Sequence, residues 1–196
     1  MTYYIDFDNT LFNTVEFYND MCLIMEKFGI TDLMINEYEN TIDPRLFNPL
    51  KLVDYCIKKY QINKRVLEKV KLFFKNANNY LYNDSYDFLI KIKEKGHRLV
   101  LLTYGDYEYQ NFKIINSGLI KYFDEVIITE YDKDTLELDF NNSIFVDDNP
   151  KVIRELLSKN PFKVIRIKRP NNKYSKEIIN NSLVEEFINL NNIFEK

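Results

Sequence analysis

The chain has 196 residues, 27 basic and 30 acidic, for a formal net charge of −3. At 45% apolar and 29% charged residues it has a globular composition able to bury a sizeable core, which excludes a disordered chain. Four isolated glycines, a mildly acidic balance and two cysteines exclude a glycine-rich nucleotide loop, bulk electrostatic binding to nucleic acid and a disulfide framework.

The first predicted element is a strand over residues 3–7. Asp6 and Asp8 interrupt it before any apolar stretch can form, so no secretory signal is expected and the expected address is the cytoplasm. About eighty residues of helical periodicity alone follow. Val15, Tyr18, Cys22, Met25 and Phe28 form one stripe at steps of three or four. Leu52, Val53, Cys56, Ile57 and Tyr60 form a second, behind Asn48-Pro49. Val66, Val70, Phe73, Phe74, Ala77 and Leu81 form a third. The stripes predict helix-to-helix packing in an α-helical insert over 15–81, with Cys22 and Cys56 as small buried hydrophobes of a reduced compartment. A helix over 86–95 follows the caps Asn83, Asp84 and Ser85 and stops at Gly96.

Strands over 98–103, 125–129, 143–146 and 163–167 come next. Between them lie a helix over 107–117, stopped by Gly118, and one opened by Asn149-Pro150. Ser182-x-x-Glu185 predicts a capped helix before Phe187 and Leu190. Alternating helices and short apolar strands predict an α/β fold, a parallel sheet covered on both faces. Its longest aliphatic run, residues 99–102, is far too short for a bilayer, and no membrane partner is expected.

Two of the strands end in paired acids, Asp6 with Asp8 and Asp147 with Asp148. Ligands of open α/β sheets bind at the carboxyl ends of strands. If the acids converge, each pair of charges about 4 Å apart costs about 4 kcal/mol at an effective dielectric of about 20. A bound cation removes that cost, and hard carboxylate oxygens suit Mg²⁺.

Asp6-x-Asp8-x-Thr10 after a strand, Thr103 after a second, a lysine further on and Asp147-Asp148 after another resemble the haloacid dehalogenase superfamily, in that superfamily's order. The resemblance covers residues 1–14 and 82–196 as a Rossmann-like α/β catalytic core, and it leaves 15–81 as a helical cap of the first type. It implies a five-stranded parallel sheet of order 5-4-1-2-3, whose motif residues meet at one switch point. It also implies the chemistry. Asp6 is the expected nucleophile, forming an aspartyl-phosphate and binding Mg²⁺. Asp8 is the expected proton donor and then base, with its backbone carbonyl on the metal. Asp148 is expected to coordinate Mg²⁺ directly and Asp147 through a water. Thr103, its neighbour Tyr104 and Lys133 are the expected substrate-binding residues, and Thr103 and Lys133 offset phosphoryl charge. Thr10 is expected to brace the loop.

Lys113, on the helix after Thr103, is the alternative to Lys133, because the proline that often follows the family's lysine is replaced by Asp134. The carboxylate at Asp8 points to phosphate esters, since dehalogenases of this class lack it. The expected function is a Mg²⁺-dependent phosphatase acting on a small phosphorylated metabolite. A phosphomutase of the same superfamily and a catalytically silent binding protein stay open as alternatives. A phospho-accepting receiver module does not fit, because its acid pair precedes its accepting aspartate.

Three other features carry less. Lys163, Arg166, Lys168, Arg169, Lys173 and Lys176 form a basic run that reads as a charged edge strand and solvated loop rather than an anion patch. His97 is expected at the end of the sheet opposite the acids. Arg45, Phe47 and Tyr55 in the insert are not separable from packing residues by sequence.

Overall fold

In the computed structural model, which describes residues 1–170 and 172–194, six strands form one sheet: β1 (Thr2–Ile5), β2 (Arg98–Tyr104), β3 (Glu125–Thr129), β4 (Ser143–Asp147), β5 (Lys163–Ile167) and β6 (Val184–Phe187). Every pairing is parallel and the order is β3-β2-β1-β4-β5-β6. Five strands therefore stand as the resemblance implies, and a sixth extends the sheet beside β5. Residues 184–187 are a strand, not the capped helix that Ser182-x-x-Glu185 predicts. Val164 N–H donates to Leu183 O and Lys168 N–H to Phe187 O, so the flank of β5 offers this segment a ready ladder of backbone partners. A short helix opened at Ser182 could not match that, because helix nucleation is costly.

The sixth strand also corrects the basic run, since β5 is not an edge. Arg166 is fully buried and donates to the Tyr174 and Glu177 carbonyls at 2.6 and 2.7 Å and to the Glu186 carboxylate at 2.7 Å. Arg169 grips Asp84 with two bonds of 2.7 and 2.8 Å and donates to the Thr10 carbonyl at 2.7 Å.

Four helices, α1 (Thr14–Glu26), α2 (Asp32–Glu39), α3 (Pro49–Tyr60) and α4 (Arg65–Phe74), fill the stretch between β1 and α5 (Ser85–Glu94). α6 (Tyr107–Ser117) and α7 (Pro150–Leu157) connect later strands. Asparagine and proline start α3 and α7 as the sequence predicts: Asn48 accepts from Leu50 N–H at 2.9 Å, and Asn149 from Lys151 N–H at 3.0 Å. α1 departs from its predicted stripe. Its buried face is Phe17, Met21 and Met25, whereas Val15 is 40% exposed and Tyr18 and Cys22 are half-buried. Phe17 wins the inward face because it meets an aromatic cluster, with ring centroids 5.1 Å from Phe12, 4.8 Å from Phe73 and 5.0 Å from Tyr80. Cys56 is buried, and both thiols are free.

The pleat sends alternate residues to opposite faces. Leu99, Leu101, Val146 and Ile165 join the larger core, which runs on through Phe12, Phe17 and Phe74 into the insert. Leu102, Phe145 and Val164 join a smaller one beneath α7. Among the described residues, no helix is long and apolar enough to cross a membrane.

Candidate active site

Ile5 pairs with Leu101 on one side and Val146 on the other, so the chain leaves the sheet between the ends of β2 and β4. Asp6 keeps one more ladder bond, its N–H donating to Val146 O at 2.9 Å. A tight turn follows, in which Leu11 and Phe12 N–H both donate to Phe7 O at 3.0 Å. Asn9 takes a left-handed φ of +57°, a conformation that asparagine tolerates.

Asp147 ends the neighbouring strand beside Asp6. Carboxylate oxygens of Asp6, Asp147 and Asp148, all buried, lie within 4.8 Å of one another. Lys133, in a short 3-10 turn beyond β3, is buried as well and donates to Asp6 Oδ1 and Asp147 Oδ2, each at 2.7 Å. Asn172 donates to Asp148. Burial pushes the Asp6 carboxyl up further than Lys133 pulls it down, and Asp147 and Asp8 add repulsion, to about 7. Burial, then the charges of Asp147 and Asp6, hold Asp148 well above the usual carboxylate range. Burial alone would depress the Lys133 ammonium, but its two carboxylate partners hold it above the lysine norm. Three crowded acids share one ammonium, and their mutual repulsion helps to hold two of them above the usual carboxylate range; a cation would relieve it, and this set of hard oxygen donors fits Mg²⁺.

Asp8 belongs to a second constellation. It accepts from Thr14 Oγ1, from Lys113 Nζ and, at 2.7 Å, from Gln110 Nε2. Lys113 is 1% exposed, with its ammonium 4.5 Å from the Tyr109 ring centroid and 5.6 Å from that of Phe7. Burial alone would raise Asp8, but Lys113, Thr14 and Gln110 outweigh it and hold the carboxyl below its usual range.

A cavity of about 280 Å³ is lined by Asp6, Asp8, Thr103, Tyr104, Lys133, Asp147 and Asp148, with Arg45 from the insert. Thr103 Oγ1 is buried there without a hydrogen-bond partner. Arg45 stacks over Tyr104 at 5.0 Å and reaches Asp132 at 3.0 Å. Neither rival lysine is a surface residue: Lys133 serves Asp6 and Asp147, and Lys113 serves Asp8. Thr10 is anchored through its carbonyl, which accepts from Arg169, while its buried hydroxyl has no partner. Tyr55 lines neither this cavity nor its neighbour and donates to Glu37 at 2.7 Å. His97 lies at the strand entrance beside Tyr3, with rings 5.4 Å apart.

Sequence reasoning missed Thr14, Gln110 and Asn172. Gln110 stands one turn before Lys113 on α6, and that spacing puts both on one helix face. Asn172 comes from a loop and has no comparable signal.

A family model for haloacid dehalogenase-like hydrolases matches residues 4–154. The chain belongs to that family. Three solved structures share the fold of this haloacid dehalogenase-like hydrolase. One, from Burkholderia xenovorans, has a TM-score of 0.78 at 17% identity and covers 99% of this chain and 94% of its own. A phosphatase of the family from Thermococcus onnurineus has a TM-score of 0.67 at 16% identity, covering 99% and 96%. The hydrolase YfnB of Bacillus subtilis, bound to magnesium, has a TM-score of 0.63 at 14% identity, covering 99% and 96%. Among curated proteins, no relative matches the chain.

Proposed function

We propose that this family member is a Mg²⁺-dependent phosphatase that hydrolyses a small phosphorylated metabolite of the cytoplasm through an aspartyl-phosphate. One observation carries the reading: Lys133 bridges Asp6 and Asp147 beside Asp148, in a cavity that also holds the unpartnered Thr103 hydroxyl. Asp6 attacks phosphorus and the ester P–O bond breaks. Thr103 Oγ1 and Lys133 Nζ hold the phosphoryl oxygens, and Tyr104 lines the wall beside them. Asp8, ionised by its partners, is in the form that accepts a proton from the water that then attacks the aspartyl-phosphate. To protonate the leaving oxygen in the first step, it must first take up a proton. Mg²⁺ held by Asp6, Asp148, the Asp8 carbonyl and, through a water, Asp147 would supply neutralising charge to the phosphoryl group.

Residues 15–81 act in this reading as a cap over the core of 1–14 and 82–196, with Arg45 and Phe47 on the substrate side. The test is phosphate release from a panel of phosphomonoesters. With Mg²⁺, release is expected; excess EDTA should abolish it, and Asp6→Asn should lower it by at least about a thousandfold. Full activity in EDTA, or in Asp6→Asn, contradicts the reading. An isomerised ester in place of free phosphate replaces the hydrolase with a mutase.

A further inference from the structure

A second cavity, of about 340 Å³, adjoins the acid cluster, and Asp8, Arg45 and Tyr104 line both. On the phosphatase reading Asp8 meets the leaving oxygen. Whatever the ester carries beyond that oxygen therefore extends into the second cavity, whose size falls in the range of small-molecule sites, roughly 300–1,000 Å³.

The lining indicates what that group is. Four aromatic residues face the space: Tyr18, Phe47, Tyr104 and Tyr109. Phe47 meets Tyr18 edge-on at 5.7 Å and Tyr109 edge-on at 6.5 Å. Val15 and Tyr18, two residues of the predicted α1 stripe, reach the same space. Small-molecule pockets pair aromatic walls with a few placed polar groups, which is the lining seen here. Among the cavity's polar lining residues, which also include Asp8, Asn19, Arg45 and Lys113, Gln110 is only 4% exposed. Its Nε2 donates to Asp8 Oδ2 at 2.7 Å and to the Tyr104 carbonyl at 2.8 Å, which uses both amide hydrogens and fixes the amide's orientation. Its Oε1 is buried and has no hydrogen-bond partner. An acceptor so situated calls for a donor on the ligand.

We infer that this chamber takes an aromatic leaving group bearing a hydrogen-bond donor, as in an aryl-type or nucleoside phosphate. The inference rests on the phosphatase reading and narrows its substrate class. A planar ring packs among the four rings in the offset and edge-on arrangements that aromatic pairs prefer, a contact that a polyol or plain sugar phosphate lacks.

The experiment uses the full chain with Mg²⁺ and two matched ester pairs: adenosine 5′-monophosphate against ribose 5-phosphate, and 3-hydroxybenzyl phosphate against (3-hydroxycyclohexyl)methyl phosphate. Adenosine and ribose are also titrated calorimetrically against the same protein. In at least one pair the aromatic member should have a kcat/KM at least about tenfold higher, chiefly through KM. A preference in the nucleotide pair alone assigns a nucleobase, and one in the benzyl pair assigns a simple ring. Tyr18→Leu and Phe47→Leu should each cut the preference to under about threefold. Equal or reversed values within both pairs, or a preference that both variants keep, overturn the inference and leave the phosphatase reading standing. No phosphate from any ester overturns the phosphatase reading instead. The titration then decides the chamber: adenosine binding that Tyr18→Leu weakens supports it, and none at millimolar concentration overturns it.

Discussion

Lys113 is a full positive charge at 1% exposure, enclosed by Phe7, Phe12 and Tyr109 and compensated by Asp8. Removing an ion from water costs several kcal/mol, and breaking a buried pair costs more than the pair contributes, because the surviving charge is stranded. Lys113→Met should therefore destabilise the protein by about 3–5 kcal/mol. Asp8→Asn added to it should recover a good part of that loss, read as a coupling in urea unfolding of both single variants and the double. Simple additivity of the two would contradict the pairing. In the sequence, Lys113 and Lys133 stand as rivals for one role. Position along the chain favours Lys133 there, but it does not say that Lys113 lies on an inward helix face and pairs with a different aspartate. Asp6, Asp8, Asp147 and Asp148 were legible because each follows an apolar strand directly.

Among the elements, α6 and α3 are joined at their first turns. Asp106 caps α6 by accepting from Tyr109 N–H at 3.0 Å, and it accepts from Asn48 at 2.7 Å and Lys51 at 2.6 Å, both at the start of α3. Burial would raise the Asp106 carboxyl, but Lys51, the Tyr109 amide and Asn48 together hold it below its usual value. A depressed folded-state pKa gives stability that is fully present above the unfolded value of about 3.9 and is lost as pH falls through the folded one. Asp106→Ala should cost about 1–2 kcal/mol at neutral pH, and its difference from the parent should shrink below about pH 4. Urea unfolding across a pH series reads this, and a difference that grows on acidification would contradict it. Five strands, the Asn-Pro starts of α3 and α7 and the Gly118 end of α6 were legible, because short Val- and Ile-rich runs and Asn-Pro or Gly boundaries act locally. β6 was not, since its strand state depends on the open flank of β5. α2 was not either, being eight residues with only Ile35 and Tyr38 buried.

At the scale of the whole molecule, the sheet order joins residues 127 positions apart, Asp6 and Lys133, in one ion pair. The larger core passes without a break from the sheet into the insert. The exposed Arg45–Asp132 pair contributes little to that union, as surface pairs do, so the tie between insert and sheet rests on aromatic packing and the Asp106 cluster. The motif combination made the family legible in the sequence, but the aromatic chamber lies between elements that only the fold brings together. The proposed reaction turns on Asp6 as the nucleophile. Asp8→Asn keeps that carboxylate and removes the proton transfer, which is worth a factor of about 10²–10⁴ in rate. With p-nitrophenyl phosphate, which needs little help to expel its leaving group, the variant should accumulate a phosphoryl adduct in rapid-quench intact-mass measurement. Peptide mapping should locate that adduct on Asp6, and a phosphoryl group on any other residue would contradict the mechanism.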